Sequence, residues 1–382
     1  MSKIHGIGII GAGDISASYL RWSRLFGNFE VRAIASRSPA SAEARGEQFG
    51  VQALGIDALL ARDDIAAVVN LTPPASHFSV SRDILSAGKH VYSEKPFVSD
   101  LAEGRQLLGL AESLGLVIAS APDTFLGGAH QTVRRALDAG EIGAVSSGTC
   151  QFMNRGMEHR HPNPAFFFAA GGGPVLDIGP YYVTALVNLL GPVRQVSAFG
   201  MRGAGTRLVT APGPNHGANI AVEVFTTMHG VMEFQSGPVI SFMTSWDVQT
   251  HGHANHIELY GSGASLYIPD PDFFGGEAAI AAEDGTTRRL SPLEHPFGPD
   301  NEFIGEPLQR ANYRGAGLAD MLAALETGRT PRCNSALALH VIDILTGLNA
   351  AAADRRVVDM TTTCSRPEPL SATEARALLK QD

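Results

Sequence analysis

The stretch Lys3-Ile4-His5-Gly6-Ile7-Gly8-Ile9-Ile10-Gly11-Ala12-Gly13-Asp14-Ile15-Ser16 decides how this chain folds. Its isoleucines form a short β-type run that passes at once into glycines and then into a helical-looking segment over Ala17 to Phe26. Strand, glycine turn and helix in that order match the dinucleotide fingerprint, with Ser16 where the third small residue belongs. Gly11 permits the tight turn, Gly13 lets the backbone approach a pyrophosphate, and the small residue lets helix and strand pack closely. The anion then rests on unpaired N–H groups at the positive end of the helix, beside Asp14 and Ile15. An ordinary strand-to-helix turn can carry the same glycines, so the surrounding pattern has to decide.

A second strand over Glu30 to Ala35 ends about twenty residues beyond the glycines, where a carboxylate for a ribose 2′-hydroxyl is expected. The sequence offers Ser36-Arg37-Ser38 instead, two hydroxyls around a guanidinium, which suits a 2′-phosphate. The expected cofactor is NADP, with NAD the alternative should Arg37 be a solvated loop residue. Helical patterns over 40–49, 77–87 and 101–114 then alternate with strand patterns over 66–71, 90–93 and 117–120. Such alternation predicts an α/β, doubly wound parallel sheet with ligands at the carboxyl ends of its strands. Two polar stretches follow strands as this requires: Asn70-Leu71-Thr72-Pro73-Pro74 with His77, and Ser93-Glu94-Lys95-Pro96-Phe97.

With 382 residues, 44% hydrophobic and 18% charged, the chain has the composition of a globular protein of roughly two domains. A net charge of -9 without a basic run argues against nucleic acid as a partner. Uninterrupted apolar runs fall short of the roughly 20 residues of a membrane span, so no membrane partner is expected. The N-terminus lacks a secretory pattern, and Cys150, Cys333 and Cys364 lie too far apart for a disulfide framework or zinc site, so a reducing cytoplasm is the expected compartment. His251, His253 and His256 invite a metal reading, but a strand pattern starting there would put His256 on the opposite face, and none is expected.

After residue 121 the pattern changes. Helices over 131–139 and 318–327 accompany strand segments over 145–152, 193–202, 219–228, 231–236 and 256–268, with no helical crossovers between strands. This predicts an α+β domain with a large, open-faced, mostly antiparallel sheet. The stretches 211–214 and 292–307 read as loops. The expected boundaries are 1–121 for the nucleotide domain, 122–332 for the second, and 333–382 for a segment whose helix, over 334–353, returns to the interdomain region.

Four motifs carry a family resemblance: Gly11 to Ser16, Thr72-Pro73-Pro74-Ala75-Ser76-His77, the run Ala87 to Pro96 with its Glu94-Lys95-Pro96, and Gly171 to Tyr181. In order and spacing they resemble the Gfo/Idh/MocA oxidoreductases, whose N-terminal domain is a Rossmann fold. The resemblance implies hydride transfer between a nicotinamide cofactor and a sugar or polyol alcohol. It makes Gly11, Gly13, Asp14, Ile15, Ser36, Arg37, Ser38, Thr72, Pro73, His77, Glu94 and Lys95 candidates for holding the cofactor. It also implies a homodimer or homotetramer paired through the open sheet face, which would otherwise lie uncovered.

Lys95 can also be argued from chemistry, because oxidising an alcohol requires a group that accepts the hydroxyl proton. A lysine partly buried next to a positive nicotinamide is pushed toward its neutral form. Asp177 and Tyr181, four residues apart, share a face if one helix begins by Asp177. Most of the family has histidine where Tyr181 stands, and branches carrying tyrosine there use it as the acid/base partner. A phenol can donate if an ammonium such as Lys95 lowers its pKa, so either group can be the terminal base. The alternative for Asp177 is a helix N-cap carboxylate, and it could be both. His159 and His161, beside Phe166-Phe167-Phe168, form either a sugar-binding loop or an aromatic plug between domains. Two other functions remain open: a trans-dihydrodiol or carbonyl-type reductase, and a non-catalytic nucleotide-binding redox sensor.

Overall fold

The opening isoleucines form β1 (His5–Ile10), every residue of which is buried. In the computed structural model, which describes residues 4–303 and 309–381, β1 lies in the middle of a six-stranded parallel sheet. The other strands are β2 (Phe29–Ala35), β3 (Gln52–Leu54), β4 (Ala67–Asn70), β5 (His90–Ser93) and β6 (Ile118–Ser120), in the order β3-β2-β1-β4-β5-β6. The order in which successive strands are added reverses between β1 and β4, and the crevice beyond that point is where this topology binds ligands. Helices Pro39–Phe49, His77–Ser86 and Leu101–Leu114 stand within a residue or so of expectation. The first helix runs over Asp14–Trp22, earlier than the expected Ala17 to Phe26, because it starts directly on Gly13. β3 escaped the sequence reading, since three half-exposed edge residues show no usable period.

The C-terminal sheet contains β7 (Val145–Met153), β8 (Val193–Met201), β11 (Thr227–Phe234), β12 (Val239–Ser245), β13 (Ile257–Gly261), β14 (Ala264–Ile268), β15 (Ala278–Ala282), β16 (Thr287–Leu290) and the short β19 (Val358–Asp359). Two two-stranded pairs stand apart: β9 (Thr206–Leu208) with β10 (Asn219–Ala221), and β17 (Glu302–Phe303) with β18 (Gln309–Arg310). The nine-stranded order is β16-β15-β14-β13-β7-β12-β11-β8-β19, antiparallel except where β12 runs parallel to β7. The inner face, including Val196, Met232 and Phe242, is buried, and helices Gly179–Leu190 and Ser335–Asp354 cover the core beside it. Gly179 allows close packing there, since a Cβ would sit 2.6 Å from a Leu345 methyl. The outer face exposes Phe199 by 71% and Met201 by 55%, with Val231 and Val239 beside them.

Several expectations change. The strand expected over 219–228 is two elements, β10 and the start of β11. The intervening amides are spent elsewhere: Val222 N–H on Gly205, Glu223 N–H on Phe168 and Thr226 N–H on Met201. The segment 256–268 is a hairpin, β13 to β14. Part of the expected loop over 292–307 pairs as β17, while its positions 304–307 lie outside the described residues, as does Lys3. Helix Ser335–Asp354 is long and apolar enough to cross a membrane by composition, but 67% of its most apolar window is buried in the fold.

Candidate active site

Gly11 has φ +117° and sits so close to the end of β4 that a Cβ would lie 2.4 Å from the Leu71 carbonyl oxygen, so only glycine fits there. Gly13 is the helix N-cap without a capping side chain, and a Cβ on it would meet nothing within 4 Å. The first amides of the helix, at Asp14 and Ile15, have no intrahelical partner and border open space. That is the cradle a dinucleotide pyrophosphate requires, and the residues present fit one. Ser16, fully buried, donates to the Gly13 carbonyl at 2.6 Å and closes the turn. Thr72 and Pro73 follow β4 directly beside Gly11, Thr72 donating to Asn70 Oδ1 at 2.6 Å.

At the end of β2, Ser36 is partly buried and Arg37 and Ser38 are exposed. Ser38 caps the following helix through Ser41 N–H, a role the sequence reading did not assign it. Arg37 makes no ion pair among the described residues. A second guanidinium, Arg45, reaches the Gly13 carbonyl at 3.4 Å. Arg45 escaped notice because it falls on an otherwise unremarkable helix, where only the fold turns it back to the glycine turn.

Lys95 stands after β5, and its Nζ donates to Asp177 Oδ1 at 2.9 Å and to the Asp177 carbonyl at 2.5 Å. The same Nζ lies 5.3 Å from the centre of the Tyr181 ring. Lysine, carboxylate and phenol therefore converge across the two halves of the chain, as the sequence reading requires. The route differs from expectation. Asp177 ends a one-turn helix, Pro174–Asp177, and Ile178 separates it from the helix Gly179–Leu190 that carries Tyr181. Asp177 caps neither helix with its side chain. The Tyr181 hydroxyl has no protein hydrogen bond among the described residues and is not sealed from solvent, so it is available to a ligand.

Protonation also departs from expectation. Burial disfavours the Lys95 ammonium, but Asp177, Tyr181 and Glu94 outweigh it and hold the pKa above the ordinary lysine value. The Asp177 carboxylate thus favours the charged Lys95 and opposes the push toward neutrality that a nicotinamide cation would exert. Burial likewise raises the Tyr181 phenol, and Lys95 and Arg314 pull it back only in part. Both groups hold their protons at neutral pH.

Glu94 organises this cluster from beneath. Its buried carboxylate accepts from Lys95 N–H at 2.7 Å, from Tyr19 hydroxyl at 3.0 Å and from Arg314 at 3.3 Å. Through these bonds it shapes the Lys95 turn. Arg314 was missed, because a lone arginine before a glycine has no sequence signal. Asp123 places it: the fully buried carboxylate accepts from the amides of Gly315 and Gly317 and fixes the turn. Asp272 was also missed; burial, then Asp270, raises its carboxyl while Lys95 lowers it.

His77 is buried with Nδ1 2.6 Å from the Pro96 carbonyl and Nε2 2.8 Å from the Thr72 carbonyl. Neither nitrogen is left for a cofactor, so His77 ties the β4 turn to the β5 turn. His159 bonds to Thr210 at 2.5 Å, and His161 sits edge-on to Phe166 and Phe167 at 5.4 and 5.3 Å. Neither contacts Lys95, Asp177 or Tyr181. The aromatic run is a plug within the second domain: Phe168 is fully buried against Trp246, with the Arg207 guanidinium 5.5 Å above its ring. His256 precedes β13, and its Nδ1 meets the Tyr182 hydroxyl at 2.9 Å. Among the described residues no group of three metal-ligating side chains is present.

The strand order and the uncapped glycine turn make the N-terminal half a dinucleotide-binding unit of oxidoreductase type. The chain belongs to the GFO/IDH/MocA oxidoreductase family: residues 5–121 match its NAD-binding Rossmann fold and residues 130–267 its C-terminal domain. It is 32% identical over 321 residues to a dTDP-3,4-didehydro-2,6-dideoxy-alpha-D-glucose 3-reductase of Streptomyces violaceoruber, covering 81% of this chain and 87% of that protein. With the D-xylose 1-dehydrogenase (NADP(+)) 2 of Haloferax volcanii it shares 25% identity over 92% and 99% of the two chains. Levoglucosan dehydrogenase in complex with NADH and levoglucosan has the same fold, with a TM-score of 0.78, 20% identity, and 94% of this chain and all of that one covered.

Proposed function

We propose that this NAD(P)-dependent oxidoreductase moves a hydride between nicotinamide C4 and a secondary alcohol, lactol or corresponding carbonyl of a sugar, sugar derivative or polyol. The observation that carries the reading is the convergence of Lys95, Asp177 and Tyr181 at the mouth of the dinucleotide crevice. The sugar substrates named for the relatives from Streptomyces and Haloferax support the substrate class. The cofactor, when bound, supplies or accepts the hydride. Gly11, Gly13, Asp14 and Ile15 cradle its pyrophosphate, and Thr72 and Pro73 border it. Ser36 and Arg37, with Arg45 in support, favour the 2′-phosphate of NADP over NAD.

Lys95 and Tyr181 handle the proton at the reacting oxygen, and Asp177 orients Lys95. With both donors protonated, the resting site is in the form that gives a proton to a carbonyl oxygen. A trans-dihydrodiol or carbonyl-type reductase would use the same pair on an apolar substrate. A redox sensor would have no use for a buried ammonium beside an unpartnered phenol. We further assign residues 1–121, 122–332 and 333–382 as the structural units, and place the protein in the cytoplasm, in keeping with its three free cysteines. The outer sheet face around Phe199 and Met201 pairs with a second copy in a dimer or tetramer.

The test is a screen of aldoses, sugar acids, inositols, ketosugars and aromatic dihydrodiols with both cofactors, read at the nicotinamide absorbance, beside Lys95→Ala. Turnover of a carbohydrate that Lys95→Ala abolishes, with cofactor still bound, supports the reading. Retained activity in Lys95→Ala removes the assigned role of Lys95.

A further inference from the structure

Past the end of β7 lies an open cavity of about 500 Å³ bordered by Asn154, Arg155, His159, Arg160, Gln249 and His251. Arg155 and Arg160 are exposed, and neither makes an ion pair or hydrogen bond through its guanidinium among the described residues. The acids nearest in sequence bond inward, with Glu158 Oε1 also 3.5 Å from His159 Nε2 at the cavity wall. Glu158 is buried and its Oε1 accepts from Arg207 at 2.8 Å, while Asp247 bonds Arg207, Thr226 and Thr227. Arg207 faces both carboxylates and leaves one net negative charge inside the protein, while the two guanidiniums at the cavity wall have no ion-pair partner among the described residues. Left in solvent, two like charges on one short loop repel each other, and a shared anion removes that cost.

One aromatic contact links the strand that leads to this cavity with the helix that carries Tyr181. Met153 and Asn154 directly follow Phe152, whose ring packs 5.7 Å from Tyr182, the residue after Tyr181. At about 3.4 Å per strand residue, Asn154 lies roughly 7 Å beyond Phe152. We propose that this cavity is an anion subsite that takes the phosphoryl group of a phosphorylated sugar, with Arg155 and Arg160 as its forked donors and Asn154 and Gln249 as neutral ones. Guanidinium pairs match phosphate oxygens with parallel hydrogen bonds, which fixes the sugar's orientation as well as adding affinity. The inference rests on the sugar-oxidoreductase reading and names its substrate class. The phosphoryl group can come from a sugar monophosphate or from the diphosphate of a sugar nucleotide.

Calorimetric binding to the full chain saturated with NADP⁺, so that the dinucleotide groove is filled, tests this with inorganic phosphate, pyrophosphate, thymidine diphosphate and glucuronate as probes. Expected is binding of a phosphoryl probe that weakens as salt is added and falls at least tenfold in Arg155→Gln/Arg160→Gln. Phosphate binding as well as pyrophosphate identifies a monophosphate source; thymidine diphosphate binding at least tenfold better than phosphate identifies a sugar nucleotide. Unchanged NADP⁺ affinity in the variant establishes that it is folded. Equal binding by variant and parent, no binding of any phosphoryl probe, or a preference for glucuronate overturns the proposal. These outcomes are independent of turnover, so failure of the sugar screen alone leaves the subsite standing and sinks only the catalytic reading.

Discussion

Replacing Asp177 with asparagine keeps the shape of the Lys95 partner and removes its charge. The carboxylate oxygen lies 2.9 Å from Lys95 Nζ, and both side chains are 17% exposed, which places the pair between a solvated bridge and a sealed one. Solvated pairs contribute up to about 1 kcal/mol, and breaking a sealed pair costs about 3–5 kcal/mol. The Asp177 backbone carbonyl still accepts from Lys95 in the variant, so a loss of about 2–3 kcal/mol is expected. At 1.36 kcal/mol per pH unit, the Lys95 pKa should drop by about 2 units. Because the pKa is raised in the folded protein, the pair's stabilisation is complete below the ordinary lysine value and disappears only as pH rises through the folded value. Asp177→Asn is therefore less stable throughout the neutral range, and the difference closes only in strong alkali. In the reductive direction Lys95 acts as a proton donor, so the alkaline limb of kcat/KM should move down by the same 2 units or so, with about a ten- to hundredfold loss at neutral pH from poorer positioning. Initial rates from about pH 6 to about pH 11, followed at the nicotinamide absorbance, should show the alkaline fall entering the top of that range in Asp177→Asn while the parent, whose Lys95 titrates above it, shows none. An alkaline limb that stays in place or moves upward would refute the claim that Asp177 holds the ammonium.

Tyr181→Phe removes a hydroxyl with no protein partner among the described residues, so the urea midpoint should stay close to the parent while kcat falls by about 10²–10⁴. An equal loss of stability and activity would make the tyrosine a packing residue. Arg37→Ala with Arg45→Ala should weaken NADPH by about 1.5–3 kcal/mol, tenfold to a hundredfold, and leave NADH nearly unchanged, as titration of nicotinamide fluorescence can measure. Equal weakening of both cofactors would show that neither arginine meets a 2′-phosphate. Phe199→Glu with Met201→Glu puts charge on an outer strand face that is already exposed in the single chain, so it should split the assembly while leaving monomer secondary structure intact. Sedimentation velocity reads the outcome, and an unchanged mass would remove that face from the interface.

Much of the nucleotide half could be read in advance because its signals are local. A glycine turn, alternating periods and polar residues after strands are each properties of a few adjacent positions, and β5 and helix Leu101–Leu114 fall where their patterns put them. The second half was less legible. The Val222 and Glu223 amides, which a strand over 219–228 would have used, donate to the Gly205 and Phe168 carbonyls, and no period in 219–228 records those distant partners. His77 looked like a ligand by its place after β4, yet its ring is spent between two carbonyls 19 residues or fewer away in sequence. Arg314, 220 positions from Glu94, has no motif at all, because the turn that aims it depends on Asp123.

The residue types of the proposed reacting centre could be chosen from sequence, since lysine, tyrosine and aspartate bring their chemistry with them wherever they stand. Their protonation states could not. The sequence reading expected a neutral-leaning Lys95 and an acidified Tyr181, whereas packing places a carboxylate against the amine and withdraws the phenol from water. Ionisation depends on the distance to other charges and on the depth of burial, and both are created only when segments far apart along the chain are brought together.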